Sequence, residues 1–256
     1  MKIRLFLLLA SLAVCAASPL QAETAAQVIA KARAYLGSEG ALNAVSTIHF
    51  TGILETTALV PAKEDKTKQV EEKLKLPADI VFQKDYQQRI TITGPKVIET
   101  TALDGYDAWQ KRTNPLNPAQ WQVTLLDAGQ VKKLRANTWE NLSFFAGLEK
   151  KGGTVQPGGD ATADGVACVK LSFIHADNIV FVRFFDKATG RLIMTRTENG
   201  AEIREEGEMI VNGVRFPKKV INKSPDGTVT SIAFDRVELN QRLAAGEFAV
   251  PTLKPN

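Results

Sequence analysis

The chain has 256 residues, 44% of them hydrophobic, with 32 Lys and Arg residues against 28 Asp and Glu residues. This near-balance of charge argues against general nucleic-acid binding, so no nucleic-acid partner is expected. With only two cysteines the chain has no disulfide framework, and its length suits one large β-sheet domain.

Residues 1–22 predict a secretory signal peptide and therefore a periplasmic protein. Two basic residues precede the apolar run Leu5–Ala17, which is too short to span a bilayer. Cleavage after Ala22 leaves a single domain over residues 23–256. Lipidation at Cys15 is the disfavoured alternative, because the residue before it is not a small one.

The first predicted element of the mature chain is a short amphipathic helix. Thr24 and Gln27 have the spacing of a capping box, in which each side chain bonds the other residue's backbone N–H. Apolar residues recur at helical spacing as far as Leu36, and Gly37 can end the helix.

A series of strands follows this helix. Thr47–Val60 is predicted as one long strand, with Phe50 and Leu54 on the same face. The charged stretch Pro61–Lys75 predicts a solvated loop or a projecting hairpin. Further strand patterns lie at Ile80–Tyr86, Arg89–Gly94, Lys96–Leu103, Tyr106–Lys111 and Trp121–Leu126.

A second helix is predicted from Asp127, which has Gln130 at capping-box spacing, to Gly147. One face of this helix is apolar and the other is mostly charged. The apolar face consists of Val131, Leu134, Thr138, Leu142 and Phe145. The stretch Lys150–Asp164 is rich in Gly and Asp and is predicted as a loop.

Residues 164–240 predict about six short strands joined by tight turns. Asn212-Gly213 is the strongest of these turn signals, because both residues accept a positive φ. Strands joined by such short turns must be antiparallel. Together with the earlier strands they predict a mainly β (α+β) fold. Its core is one large curved antiparallel sheet, or incomplete β-barrel, of about 10–11 strands, with helices covering the concave face.

No catalytic or metal-binding pattern stands out. His49 and His175 are far apart and lack zinc-ligand spacing, and no serine lies in a nucleophile elbow. The carboxylates at Glu205, Glu206 and Glu208 lie beside Arg204 on a predicted strand, which favours a solvated or ion-paired outer face. We therefore expect no enzyme activity, no cofactor and no metal.

Six stretches of the mature chain mark the order of its predicted helices and strands. They are ARAYLGSEGALNAVSTIHFTG, LKLPADIVFQ, ALDGYDAWQ, FFDKATGRLIMTRTENG, VNGVRFPKKV and FDRVELNQRLAAGEFAVP. Within them lie Pro77 early in a strand, Gly105 followed by Trp109, Asp186 before the turn Thr189-Gly190, and Phe248 before Pro251. This order resembles the LolA/LolB-like family of periplasmic lipoprotein carriers. The resemblance implies helices that act as a lid over an apolar cavity for lipoprotein acyl chains. It also implies an arginine that contacts the lid.

The favoured function is a periplasmic carrier or binding protein for lipoprotein acyl chains or another amphiphilic ligand, with transient membrane contact. The alternative is a protein-interaction function without a carrier role: an envelope stress sensor or a scaffold, with an envelope protein as its partner. The helices are equally compatible with an ordinary filled core. The expected cavity lining comes from both helix and sheet and consists of Phe50, Leu54, Phe82, Leu134, Leu142, Phe145, Leu171, Phe173, Phe181 and Met194.

Overall fold

A computed structural model describes residues 23–61, 68–176 and 178–252, so the predicted signal peptide and Cys15 lie outside the described residues. The helices are α1 (Ala25–Leu36), α2 (Glu39–Ala44) and α3 (Ala128–Leu142). The strands are β1 (Thr47–Pro61), β2 (Gln69–Gln83), β3 (Gln87–Thr93), β4 (Ile98–Asp104), β5 (Asp107–Asn114), β6 (Asn117–Leu125), β7 (Thr154–Ala163), β8 (Val166–Ala176), β9 (Ile179–Asp186), β10 (Leu192–Thr197), β11 (Glu202–Glu206), β12 (Met209–Val211), β13 (Val214–Phe216), β14 (Lys219–Lys223) and β15 (Val229–Leu239).

Thirteen of these strands form one antiparallel sheet in the order β6-β5-β4-β3-β2-β1-β15-β14-β11-β10-β9-β8-β7, and β12 and β13 form a separate hairpin. Neighbours in the sheet are mostly neighbours in sequence, as expected for strands joined by short turns. The first and last strands in the chain, β1 and β15, pair with each other in the middle of the sheet. The sheet stays open, because β6 and β7 are at opposite ends. The predicted fold class is confirmed, with more strands than expected.

One stretch folds differently from its prediction. The predicted loop at Lys150–Asp164 contains edge strand β7, whose glycines and polar residues hide the alternation typical of a strand. A register shift between Pro157 and Gly159 also interrupts its pairing with β8. The charged stretch Pro61–Lys75 was predicted as a solvated loop or a projecting hairpin. Residues 62–67 of it lie outside the described residues, and residues 69–75 belong to β2, which pairs with β1 from Thr47 opposite Gln83 to Pro61 opposite Gln69, consistent with the hairpin alternative.

Both predicted capping boxes are present. Thr24 caps α1 with Gln27, and Asp127 caps α3 with Gln130. The helix α3 lies across β2–β5. We call the face of the sheet that α3 covers the inner face, and the opposite face the outer face. None of the helices within the described ranges combines the length and the apolar character needed to cross a bilayer.

Two apolar clusters lie on the inner face. The Phe50 cluster consists of Leu42, Val45, Ile48, Phe50, Ile80, Phe82, Leu142, Phe144, Val214, Phe216 and Val237. The Phe173 cluster consists of Val28, Ala32, Trp139, Phe145, Leu148, Val169, Leu171, Phe173 and Phe185. The first lies mainly on β1 and β2, whereas α1 covers the second on β8 and β9.

The C-terminal segment after β15 covers part of the outer face. The Trp109 indole N–H donates to the carbonyl of Phe248 at 2.9 Å, and Arg89 pairs with Glu247 at 2.9 Å. His49 lies on the same face, with its Nε2 2.7 Å from Asp79. The C-terminal segment thus covers part of the outer face of β1–β5, and the helices cover the inner face.

Candidate functional site

A cavity of about 340 Å³ lies between α3 and the inner face of the sheet. Its walls come from β1–β3, β9–β11 and β13–β15, together with the end of α1, α3 and the residues that follow α3. Most of the lining is apolar and includes Leu36, Phe50, Ile80, Phe82, Ile90, Phe144, Phe145, Phe181, Leu192, Ile203, Phe216, Val220, Ile232 and Phe234. The volume lies at the lower end of the range of about 300–1,000 Å³ that is typical of small-molecule sites.

Phe50 is the centre of the apolar wall. Its ring contacts Phe234 at a centroid distance of 4.7 Å, Phe216 at 5.8 Å and Phe82 at 6.4 Å. Alternation along the strands produces this wall, because Phe50 pairs with Ile80 and both point to the inner face. The edge-on contacts fix the rings, so the wall is preformed without a ligand.

The backbone directly after α3 sends two phenylalanines in different directions. Phe144 and Phe145 both have positive φ, 48° and 71°, a conformation that costs a non-glycine residue free energy. Phe144 joins the Phe50 cluster and Phe145 joins the Phe173 cluster. This turn lies where the helix was predicted to continue to Gly147, and the burial of both rings stabilises it.

Arg33 of α1 holds this turn in place. Its guanidinium donates to both carboxylate oxygens of Glu39, at 2.7 and 2.6 Å, and to the carbonyls of Ser143 and Phe144, at 3.0 and 2.8 Å. The carbonyls at a helix C-terminus lack partners within the helix, and Arg33 satisfies two of them. The side chain is 6% exposed. Arg33 therefore connects α1 to the end of the helix that covers the cavity.

A buried ion pair connects α3 to the sheet at one end of the cavity. Glu140 of α3 pairs with Arg183 of β9, and its second oxygen lies 2.6 Å from Nε2 of His175. The Arg183 guanidinium also lies 4.7 Å from the ring centroid of Phe173. Glu140 and Arg183 are 6% and 7% exposed, so each charge depends on the other for compensation.

The prediction that Glu205 lies on the outer face with Glu206 and Glu208 is wrong. Arg204 does point outward and pairs with Asp164 at 2.8 Å and with Glu202 at 3.0 Å. Glu205, the next residue in β11, points inward and lines the cavity beside Ile203. Burial raises the pKa of the Glu205 carboxyl, and the positive charges of Arg183 and Arg191 oppose this shift.

The structure brings some of the predicted lining residues together and separates others. Phe50, Phe82, Phe145 and Phe181 line the cavity. Leu142 is buried in the Phe50 cluster, and Leu171 and Phe173 are buried in the Phe173 cluster. Leu54 and Leu134 are half-buried outside the lining.

Met194 lies on the outer face, in a cluster with Cys168 and Phe184, rather than among the cavity residues. The reason is a register shift between Leu192 and Met194 in the pairing of β10 with β9, which leaves Leu192 on the inner face.

Five charged residues of the site were not predicted. They are Arg33, Glu140, Arg183, Glu205 and Arg215. Strand alternation places two of them inward, since Arg183 lies between Phe181 and Phe185 and Glu205 follows Ile203 by two positions. Within the described part of the chain, no cluster of three or more His, Cys, Asp or Glu side chains could hold a metal ion.

The fold resembles several solved structures. A LolA superfamily protein from Nitrosomonas europaea aligns over 90% of this chain and 99% of its own, with a TM-score of 0.57 and 13% identity. A DUF1329 family protein from Desulfovibrio piger aligns over 86% and 95%, with a TM-score of 0.51 and 10% identity. A domain described as an outer membrane lipoprotein-sorting protein, from Vibrio parahaemolyticus, aligns over 87% and 94%, with a TM-score of 0.51 and 11% identity.

No protein-family model matches the sequence, and no curated protein matches it. The structural likeness confirms the predicted LolA-like fold, and at these identities it is a statement about the fold alone.

Proposed function

We propose that the protein is a periplasmic carrier that binds an acyl chain of a lipoprotein or lipid in the cavity beneath α3. The cavity is the observation that carries this proposal, because the inner face is left unfilled exactly where large apolar side chains surround it. Each CH₂ group buried there contributes about 0.8 kcal/mol. The predicted export signal and the LolA-like fold are consistent with this function.

In this proposal α3 is the lid and Arg33 is the contact that keeps it closed. Loading a chain requires the end of α3 to move away from the Phe50 cluster, which breaks the Arg33 bonds to Ser143 and Phe144. Arg33 keeps its bidentate partner Glu39 during this movement, since both lie in the α1–α2 segment. The cost of opening comprises the two carbonyl contacts, the apolar contacts of the turn and the Glu140–Arg183 ion pair in the last turn of α3.

The test combines native mass spectrometry of protein purified from its own envelope with binding of a fluorescent fatty acid. Ile232→Trp fills the cavity from β15, and Ile210→Trp makes the same change at an exposed residue outside it. We expect Ile232→Trp to weaken binding about tenfold or more, which corresponds to about 1.4 kcal/mol, and Ile210→Trp to bind as the parent does. Equal binding by both variants, or a parent protein that neither copurifies with lipid nor binds the probe, would contradict the proposal.

A further inference from the structure

The cavity is more polar at the end formed by β9–β11 than at the end formed by β1–β3. Strands β1–β3, β14 and β15 contribute apolar side chains alone to its lining. Strands β9–β11 contribute Arg183, Thr195 and Glu205, whereas Asn137 of α3, which bonds Gln88 of β3, and Arg215 of β13 are polar groups elsewhere in the lining. A ligand that fills this cavity therefore meets hydrocarbon at one end and hydrogen-bonding groups at the other.

The polar groups at this end are only partly satisfied within the protein. Nε and Nη1 of Arg183 are buried and have no hydrogen-bond partner among the described residues. Glu205, which is half-buried, forms no hydrogen bond or ion pair with any residue in the described ranges, and its cross-strand neighbour is Val220. Buried polar groups normally have partners, so a ligand that supplies them is favoured.

The charges around Glu205 are nearly balanced. Arg183 already pairs with Glu140, and Arg215, which also lines the cavity, already pairs with Glu208. Arg191 adds a further positive charge that acts on Glu205. A cationic head group would lie close to three guanidinium groups, and an anionic one close to the Glu140 carboxylate, which already compensates Arg183. An uncharged head group avoids both penalties.

We propose that this end of the cavity binds the uncharged polar head group of an amphiphile, rich in hydroxyl, ester or amide groups, while its acyl chain extends toward Phe50 and Phe82. This inference rests on the proposed carrier function. A protonated Glu205 donates one hydrogen bond and accepts others, which matches a hydroxyl or an ester. Burial raises the pKa of Glu205 and so keeps the protonated form populated to higher pH than usual.

The first experiment compares three ligands of equal chain length by displacement of the fluorescent fatty acid near pH 7. They are monopalmitoylglycerol, palmitate and hexadecylamine. We expect the glycerol ester to bind about tenfold more tightly than either charged ligand. Tightest binding of palmitate or hexadecylamine would overturn the head-group proposal and leave the carrier proposal intact. Failure of all three to displace the probe or bind would overturn both.

Variants of β11 then assign the preference to Glu205. Glu205→Leu should weaken binding of monopalmitoylglycerol about tenfold and change binding of the charged ligands little. Glu205→Gln should retain the preference, since an amide also donates and accepts. Glu206→Leu, at the exposed neighbouring position, is the matched control and should behave as the parent does. An unchanged preference in Glu205→Leu would overturn the proposal.

A pH series separates hydrogen bonding from shape. As pH rises through the elevated pKa of Glu205, the carboxyl loses its proton and can no longer donate. We expect the parent's preference for monopalmitoylglycerol over hexadecylamine to fall over this range, while Glu205→Gln keeps a constant preference. A parallel decline in both proteins would overturn the role of Glu205.

Discussion

The two apolar clusters of the inner face differ in how completely they are filled. In the Phe173 cluster, Leu171, Phe173 and Phe185 are at most 1% exposed beneath α1, Trp139 and Phe145. In the Phe50 cluster, Phe50 and Phe82 are also buried, but the sheet beside them is only partly covered and a cavity remains. Both clusters are built from similar large apolar residues on the same sheet.

The helices, rather than the strands, account for this difference. Over the Phe173 cluster, α1 contributes the closely packed small residues Val28 and Ala32. Over the cavity, α3 presents Asn137, Glu140 and Asn141, which share one helix face and do not fill an apolar space. Polar residues on the inner face of a helix thus leave part of an apolar sheet open to a ligand.

The largest expected effect on stability comes from removing a phenylalanine ring from the filled Phe173 cluster, which we compare with removing one from the cavity wall. Phe173→Ala should lower the free energy of unfolding by about 3–5 kcal/mol, because the surrounding residues cannot close the space it leaves. Phe234→Ala, on the cavity wall, should cost about 1–2 kcal/mol, since a half-buried ring loses less transfer free energy and already faces a void. Urea denaturation measures both, and equal losses would contradict the distinction between the two sides.

Breaking the buried ion pair of Glu140 with Arg183, which contacts both the Phe173 cluster and the cavity, should have the next largest effect on stability. Glu140→Gln leaves the Arg183 charge buried without its carboxylate and should lower the free energy of unfolding by about 3 kcal/mol. Glu99→Gln, which breaks the exposed pair with Arg112, should cost at most about 1 kcal/mol. A similar small cost for both would show that water already compensates Arg183.

Removal of the Arg33 contact should have an intermediate effect on stability and a larger one on the lid. Arg33→Met leaves the carbonyl of Phe144 without its donor and that of Ser143 with only the Ala146 N–H, and it should cost about 2 kcal/mol in urea denaturation. The fluorescent fatty acid should exchange faster in this variant, measured by stopped flow, because the end of α3 is released. Arg112→Met removes an exposed arginine and is the control. Unchanged exchange with lowered stability would assign Arg33 to the fold alone.

Local signals explain which parts of the fold the sequence predicts. The capping boxes at Thr24 and Asp127 and the hairpin turn at Asn212 act over a few residues, and all three are present in the structure. Strand β7 lacked such a signal, since an edge strand does not need the apolar alternation of a buried one. The end of α3 was predicted too late, because tertiary burial of Phe144 and Phe145 stops the helix before its glycine.

The candidate site was only partly predictable for a different reason. Periodicity indicates which residues seek burial, and Phe50 and Phe173 satisfy it equally. It does not indicate whether the facing element fills the space, which depends on where α1 and α3 lie over the sheet. The inward positions of Arg183 and Glu205 follow from alternation, but the charge of Glu205 favoured an outer-face interpretation and Arg183 was not singled out. Only the tertiary structure shows that Glu140 compensates Arg183.

A small effect is expected when the cavity is filled from the sheet. Val220→Phe places a larger side chain at the cavity wall and should change the free energy of unfolding by less than about 1 kcal/mol, because space is available. The comparison is Ala32→Phe in the Phe173 cluster, where Ala32 is 1% exposed and the same ring should cost about 1–3 kcal/mol. Urea denaturation of the two variants tests the cavity directly, and equal costs would indicate that both sides are filled.

The smallest expected effect is the pH dependence of the ion pair between Arg33 and Glu39. Arg33 also bonds the turn after α3, whose phenylalanines belong to the two clusters. The Arg33 guanidinium, through its hydrogen bonds to Glu39, holds the pKa of that carboxyl below its usual value, with burial acting weakly in the other direction. A lowered pKa means that this contribution to stability is present above the unfolded-state pKa of about 4.3. It is lost as pH falls through the lower folded-state value.

Because the Glu39 side chain is 64% exposed, solvent screens the pair and the contribution should be below about 1 kcal/mol. We therefore expect Glu39→Gln to be slightly less stable than the parent near pH 7, and the difference to vanish near pH 2, in urea denaturation at a series of pH values. In an Arg33→Met background the same change should have no effect at either pH, because the partner of Glu39 is gone. A difference that persists in acid, or in the Arg33→Met background, would mean that Glu39 acts through the packing of α2 and not through Arg33.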